Sequence, residues 1–193
     1  MRCAARVADA PIGLRPRVSL PVEAWAVGRY RGPIREAILG MKEHGRRDLA
    51  RPLGVALADA IIALAGWGEV PNAPGLHLVP APTRTIAARR RGGDHVTAMA
   101  AVTAARLGPR VRVAPLLSTS IATRDSAGLD ARARQRNLRG RIRLRRNAVA
   151  PPDGDRVILV DDVLTTGATA AESIRVLAAQ DIDVDVVLVL AAA

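Results

Sequence analysis

The sequence predicts an α/β fold in which a mainly parallel sheet is covered by helices on both faces. Three observations carry that expectation. Apolar runs that read as buried strands, "GLHLVPAP", "RVRVAPLL", "RVILV" and "VDVVLVLAA", alternate with stretches of helical periodicity. The helical stretches repeat apolar residues at i, i+3, i+4 and i+7. The aromatic residues are only Trp25, Tyr30 and Trp67, so the core must be built from Val, Leu, Ile and Ala. At 193 residues the chain is most simply one domain with a full core.

In chain order, residues 1–29 carry Pro11, Pro16 and Pro21 and read as an extended or partly disordered N-terminal arm, followed by a domain over 30–193. Gly32 and Pro33 open a first helix, Ile34, Ala37, Ile38 and Met41 line one face of it, and Gly45 closes it. A second helix spans about 52–66, with Leu53, Leu57, Ile61 and Leu64 on its apolar side. Trp67, between Gly66 and Gly68, is expected to plug its end. "GLHLVPAP" is a short strand ending in two prolines, and "HVTAMAAVTAARLG" a helix closed by Gly108. Next come a strand in "RVRVAPLL", a long arginine-rich loop and a strand "RIRLR" with alternating faces. The strand "RVILV", the helix "TAAESIRVLAAQ" and the strand "VDVVLVLAA" complete the order.

Composition excludes several classes. Lys42 is the only lysine and sits in "LGMKEHG", so the lysine-bearing P-loop of nucleotidases is absent, and a Schiff-base enzyme would have to rest on that one residue. Cys3 is the only cysteine, which excludes an internal disulfide and a thiolate zinc cluster and suits a reducing compartment. The N-terminus lacks the apolar core of a signal peptide, and "LGVALADAIIALAG" contains Asp59 and is too short for a bilayer. A cytoplasmic location without a membrane span is expected. Although the net charge is +11, it is uneven. Thr123 to Arg146 holds nine arginines against two aspartates, whereas Asp153 to Ala193 holds eight acids against two arginines. The basic block faces an anion or is a solvated arginine-rich loop.

The segment "RVILVDDVLTTGATAAES" sets two adjacent carboxylates, Asp161 and Asp162, at the end of a buried strand. Ligands of such sheets bind beyond the carboxyl ends of the strands. Thr169 and Glu172 have the spacing of a capping box, which predicts a helix starting at Thr169. The turn before that start then faces the positive end of a helix, where unpaired N–H groups bind phosphate. Gly167 lets the backbone approach an anion, and the hydroxyls of Thr165, Thr166 and Thr169 can donate to its oxygens. Carboxylates repel phosphate, so Asp161 and Asp162 must accept from hydroxyls or work with a divalent cation. A sugar phosphate satisfies both halves. A phosphorelay receiver domain also ends a strand in an acidic pair, but it needs more chain than the 31 residues that follow Asp162.

"VILVDDVLTTGAT" resembles the phosphoribosyl-pyrophosphate signature of type I phosphoribosyltransferases. "YRGPIREAILGMKEHGRRDLARPLG", "LVPAPTRTIAARRRGGDHV" and "RDSAGLDARARQRNLRGRIRL" are similar to one branch of them, the competence protein F (ComF) group. The resemblance implies the type I phosphoribosyltransferase fold, a Rossmann-like parallel sheet flanked by helices. It implies that Thr165, Thr166, Gly167, Ala168 and Thr169 cradle the ribose 5-phosphate and that Asp161 and Asp162 hold the ribose hydroxyls. The pyrophosphate side falls on Pro80 to Arg84, with Pro82 and Arg84 the named contacts. Arg124, Arg132, Arg134 and Arg136 lie where family members often have a flexible loop that closes over the substrate. The reaction implied is displacement of pyrophosphate at the anomeric carbon, with Mg²⁺ bridging substrate oxygens and touching Asp161 and Asp162 only indirectly, through the ribose.

Departures from the family pattern are specific. A four-cysteine zinc segment common in the group is reduced to Cys3, so that module is lost, degenerate or outside the given chain. Where the family reads Arg-Gly-Phe-Asn-Gln, this chain has Arg91, Gly92, Gly93, Asp94 and His95, without the aromatic and both amides. Thr165 stands where purine phosphoribosyltransferases often have an aspartate, which argues against a purine acceptor. His44, His77 and His95 lack ligand spacing; His77 reads as a packed core histidine, while His95 borders the proposed site, where it could be general acid or base, but reads more readily as a surface residue at the start of a helix. Phosphoribosyl pyrophosphate is thus the expected partner, and a homodimer is compatible with the family. A second function class is a non-catalytic module of the same fold, active in DNA uptake or regulation, that binds single-stranded nucleic acid through the arginine block. Three aromatics offer little for base stacking, which ranks it second.

Overall fold

In the computed structural model, residues 10–82, 94–119 and 140–193 are described. The chain forms a mixed α/β structure around a six-stranded, mostly parallel sheet flanked by helices. Strand β1 (Ile12–Leu14) pairs antiparallel with β2 (Glu23–Arg29). Helices α1 (Gly32–His44) and α2 (Ala50–Gly66) follow, then strand β3 (Leu76–Pro80), helix α3 (His95–Leu107) and strand β4 (Val111–Val113). Strands β5 (Leu117–Thr119) and β6 (Ile142–Leu144) form a separate antiparallel ribbon. The chain ends in β7 (Arg156–Leu164), α4 (Ala168–Ala178) and β8 (Val186–Ala192). The sheet order is β1-β2-β8-β7-β3-β4, and every pairing except β1 with β2 is parallel.

The two faces of the sheet bury separate cores. Ile158 and Val160 of β7, Leu78 of β3 and Leu188 and Leu190 of β8 pack under α1, α2 and α3, against Ile38, Leu57, Leu64 and Met99. The alternate residues Val157 and Leu159, with Val79, Val187 and Val189, pack under α4 and the ribbon, against Ile174, Leu177, Leu117 and Ile142. Period-two alternation on a strand covered from both sides explains why "RVILV" is uninterrupted by polar residues.

Helices α1 and α2 follow the sequence pattern. Gly45 takes the left-handed conformation (φ 63°) that ends α1, and Leu53, Leu57, Ile61 and Leu64 are all buried. Trp67 caps the end of α2 through its backbone, but its side chain is 49% exposed and tilts against Trp25 at 5.6 Å, so it covers the helix end from outside instead of plugging it. A 3₁₀ turn, Arg47–Leu49, runs into α2. Together they make Arg47–Gly66, 20 residues of hydropathy 1.6, the one helical stretch among the described residues long and apolar enough, by length and composition, to cross a membrane. The shorter stretch "LGVALADAIIALAG" is only the apolar core of this helix. In the fold its apolar side is packed against α3 and the sheet.

Three expectations are corrected. The arm assigned to 1–29 contains β1 and β2, and β2 lies inside the sheet beside β8. Pro11, Pro16 and Pro21 flank these strands without interrupting a ladder, which is where proline is tolerated. "RVRVAPLL" is two strands, because Pro115 lies between β4 in the sheet and β5 in the ribbon. Finally, β7 does not stop at Val160; it remains extended to Leu164, so both aspartates lie within a strand.

Helices α2 and α3 approach closely at Gly54. A Cβ there would lie 2.6 Å from Val102 Cβ and 2.7 Å from the carbonyl oxygen of Met99, and the Thr103 hydroxyl donates to the Gly54 carbonyl at 2.9 Å. Alanine is the better helix former, but at this position it must push the helices apart. Gly54→Ala should therefore lower stability by about 1–3 kcal/mol in urea unfolding. An unchanged or higher midpoint would show that the α2–α3 contact is looser than described.

Candidate functional site

The chain path creates a crevice before any side chain is considered. From β3 the chain crosses through α3 on one face to β4; from β7 it crosses through α4 on the other face to β8. The two crossovers diverge at adjacent strands, since β3 and β7 are paired up to Pro80 with Val160. Such a switch point opens a crevice at the carboxyl ends of the strands. Ala81 and Pro82 leave β3 there, and Asp161 follows directly on β7.

A cavity of about 400 Å³ occupies this position. It brings together Pro82, Asp161, Thr165, Thr166, Gly167, Ala168 and Thr169, all expected from the sequence. Thr119 and Arg141 from the ribbon line it as well and were not singled out. Arg141 was submerged in a long arginine run, and only the pairing of β5 with β6 identifies it. Arg84, Arg124, Arg132, Arg134 and Arg136 lie outside the described residues.

Asp162 is not part of this cavity. The extended backbone of β7 sends neighbouring side chains to opposite faces, so Asp161 joins Leu159 on the α4 side while Asp162 joins Val160 on the α1 and α3 side. Of the two carboxylates expected to meet the ligand, the structure places Asp161 in the cavity lining and Asp162 on the opposite face of the sheet. Asp162 Oδ1 accepts from Lys42 Nζ at 2.7 Å, and Asp162 Oδ2 is in close contact with His95 Nε2. A surface place for His95 is corrected, since its side chain is 10% exposed, and Lys42, which in the sequence only excludes enzyme classes, joins the same cluster. One local feature sets Lys42 apart: it is the only lysine in a chain otherwise basic through arginine. Asp94, immediately before His95, caps α3 by accepting from Val96 N–H (3.1 Å) and Thr97 Oγ1 (2.8 Å). His77 is buried in β3 with Nε2 2.8 Å from Asp155 Oδ2, as a core histidine should be.

The turn after β7 is shaped by its surroundings. Helix α4 begins at Ala168 with Gly167 as its cap, in the left-handed conformation (φ 84°). The capping box expected of Thr169 and Glu172 does not form. Glu172 instead accepts from Gly140 N–H at 2.9 Å and from Arg175, which ties the start of the β6 arm to α4. Thr166 is buried; its hydroxyl accepts from Ala168 N–H at 3.4 Å and its carbonyl from Val18 N–H at 2.9 Å. A Cβ on Gly167 would meet Pro16 Cβ at 2.9 Å and the Val18 carbonyl oxygen at 3.0 Å. Residues 16–18 thus back the turn and hold it to the left-handed glycine. The first N–H groups of an 11-residue helix face the cavity mouth beside the exposed Thr165.

The two carboxyls are driven apart in acidity. Burial, reinforced by the neighbouring Asp162 charge, pushes Asp161 up to about 8. Burial would raise Asp162 too, but the His95 hydrogen bond and the Lys42 charge overcome it and hold Asp162 below the usual carboxylate range. A hydroxyl-rich turn, a helix N-terminus and Arg141 give the cavity donors suited to an anion, and Asp161 gives it an acceptor suited to hydroxyls. Among the described residues there is no cluster of three or more carboxylates, histidines or cysteines that could cage a metal.

No family model matches the chain, and no curated protein matches it.

The carboxyl asymmetry has a measurable sign. Because Asp161 binds its proton more tightly when folded than when unfolded, its contribution to stability is complete in acid and declines as pH rises toward about 8. Asp161→Asn removes that decline. The variant should gain in urea midpoint relative to the parent between pH 5 and pH 9; a difference that stays constant over that range would refute it.

Proposed function

We propose that this chain binds the magnesium complex of phosphoribosyl pyrophosphate and transfers the phosphoribosyl group to a nucleophilic acceptor with release of pyrophosphate. The reading takes the sheet as a type I phosphoribosyltransferase fold of the competence protein F group. One observation carries it: a single cavity at the switch point holds both the Thr–Gly turn at the N-terminus of α4 and the carboxyl of Asp161. The turn suits a phosphate, through backbone N–H groups and the hydroxyls of Thr165 and Thr169. Asp161 suits the sugar hydroxyls beside that phosphate. Pro82, across the cavity, lies on the pyrophosphate side, and Arg141 adds a positive charge.

In this reaction the bond from the anomeric carbon to the pyrophosphate oxygen breaks, its electron pair leaving with pyrophosphate. A bond from the acceptor to the same carbon forms, and the acceptor loses a proton. Charge grows on the leaving group, so fixed positive groups at the cavity lower the barrier. The donor set suits a magnesium ion carried in by the substrate phosphates, with Asp161 as the one cavity carboxylate near it, and not an ion caged by protein. When bound, that ion supplies charge neutralisation on the leaving pyrophosphate.

Calorimetric titration with Mg²⁺ and phosphoribosyl pyrophosphate should show binding by the unmutated chain and none by the Asp161→Asn, Asp162→Asn double variant. Gly167→Val, which strains the turn against Pro16, should also lose binding, since a β-branched residue is costly at φ 84°. Absence of binding by the unmutated chain refutes the reading. A screen of nitrogen bases and amines for pyrophosphate release then identifies the acceptor.

A further inference from the structure

The carboxylate turned away from the cavity is held at both oxygens. Lys42 reaches Asp162 Oδ1 from the last turn of α1, and His95 reaches Oδ2 from the first residue of α3. The side chains of Lys42, Asp162 and His95 are 29%, 8% and 10% exposed. A carboxylate this buried needs such partners, and two groups on separate oxygens also fix its direction. Both helices are anchored where they make this contact, α1 through Ile38 and Met41 and α3 through Val96 and Met99. Asp94 sets the start of α3 and with it the position of His95.

The held residue is linked to the cavity through its own peptide. Asp162 N–H donates to Asp161 Oδ1 at 2.8 Å. Any rotation of the Asp162 peptide therefore moves the donor that orients the cavity carboxyl. We infer that Lys42 and His95 are positioning residues: by clamping Asp162 from the far face of the sheet, they fix the N–H that aims Asp161 into the cavity. One aspartate meets the ligand and the other holds it in place. The ligand used below rests on the sugar-phosphate reading, whereas the clamp itself does not.

The test compares Lys42→Met, Lys42→Arg, His95→Ala, His95→Gln, Asp162→Asn and the Lys42→Met, Asp162→Asn pair in the full chain, each checked for cooperative urea unfolding. Titrated with Mg²⁺-phosphoribosyl pyrophosphate, Lys42→Met, His95→Ala and Asp162→Asn should each bind roughly tenfold more weakly, the scale expected when a supporting partner of a ligand residue is lost. Lys42→Arg and His95→Gln, which keep a donor, should recover to within about threefold. The double variant should be no weaker than the worse single variant, because both changes break one contact. Binding by Lys42→Met equal to the parent, or losses that add in the double variant, would overturn the inference.

A second arm needs no ligand and separates failure of the clamp from failure of the proposed function. Amide hydrogen exchange at Asp162, followed by NMR in the unliganded chain, should be at least about tenfold faster in Lys42→Met than in the parent, and close to the parent in Lys42→Arg. Exchange unchanged by Lys42→Met overturns the clamp whether or not the parent binds the sugar phosphate.

Discussion

The pairing of β7 on both of its edges is the constraint on which the site depends. β3 holds one edge up to Val160 and β8 holds the other as far as Leu164, so the backbone stays extended through Asp161 and Asp162. That one fact separates the two carboxylates. A strand that ended at Val160 would leave both aspartates in a loop, free to converge on one ligand; a strand that continues assigns them to opposite faces. The aliphatic cores above and below then give each carboxylate a low-dielectric setting with different neighbours. Their different acidities follow from geometry, since the residue type is the same.

Much of the fold was legible because its signals are local. The helical repeats in α1 and α2, Gly45 and Gly108 as helix ends, and the apolar runs of β3, β7 and β8 each depend on residues within one element. The acidic pair and Thr–Gly turn were legible for the same reason, and they fall together around one cavity. What was not legible is non-local. Nothing in "GRYRG" announces that the strand before it is inserted beside the last strand of the chain. Glu172 has the spacing of a capping box, yet its carboxylate is used by Gly140 and Arg175, a tertiary choice that propensity cannot foresee. Lys42 and His95 meet Asp162 only because α1 and α3 share a face of the sheet.

The charge pattern also takes on a physical sense. Several carboxylates of the acidic C-terminal part are engaged: Asp162 of β7 by Lys42, Glu172 of α4 by Arg175 and Gly140, and Asp185, just before β8, by Arg156 and Val157 N–H. These acids hold elements together within a basic chain, whereas Asp161 faces the cavity, its carboxyl pushed up by burial and by the Asp162 charge. A neutral carboxyl leaves a phosphate less to repel than an ionised pair would.

The contact of residues 16–18 with the turn at Thr166 and Gly167 joins the two ends of the chain. The Thr–Gly turn looks self-contained in sequence, but its backing arrives from a segment made long before it. During synthesis β1 and β2 must therefore remain without their sheet partner β8 and without the turn they support until those segments have been made. A contact of such high sequence separation closes late and slowly. The candidate site is accordingly among the last of the described parts to acquire its shape, and a chain stalled short of α4 would leave the β2 edge exposed and the turn unmade.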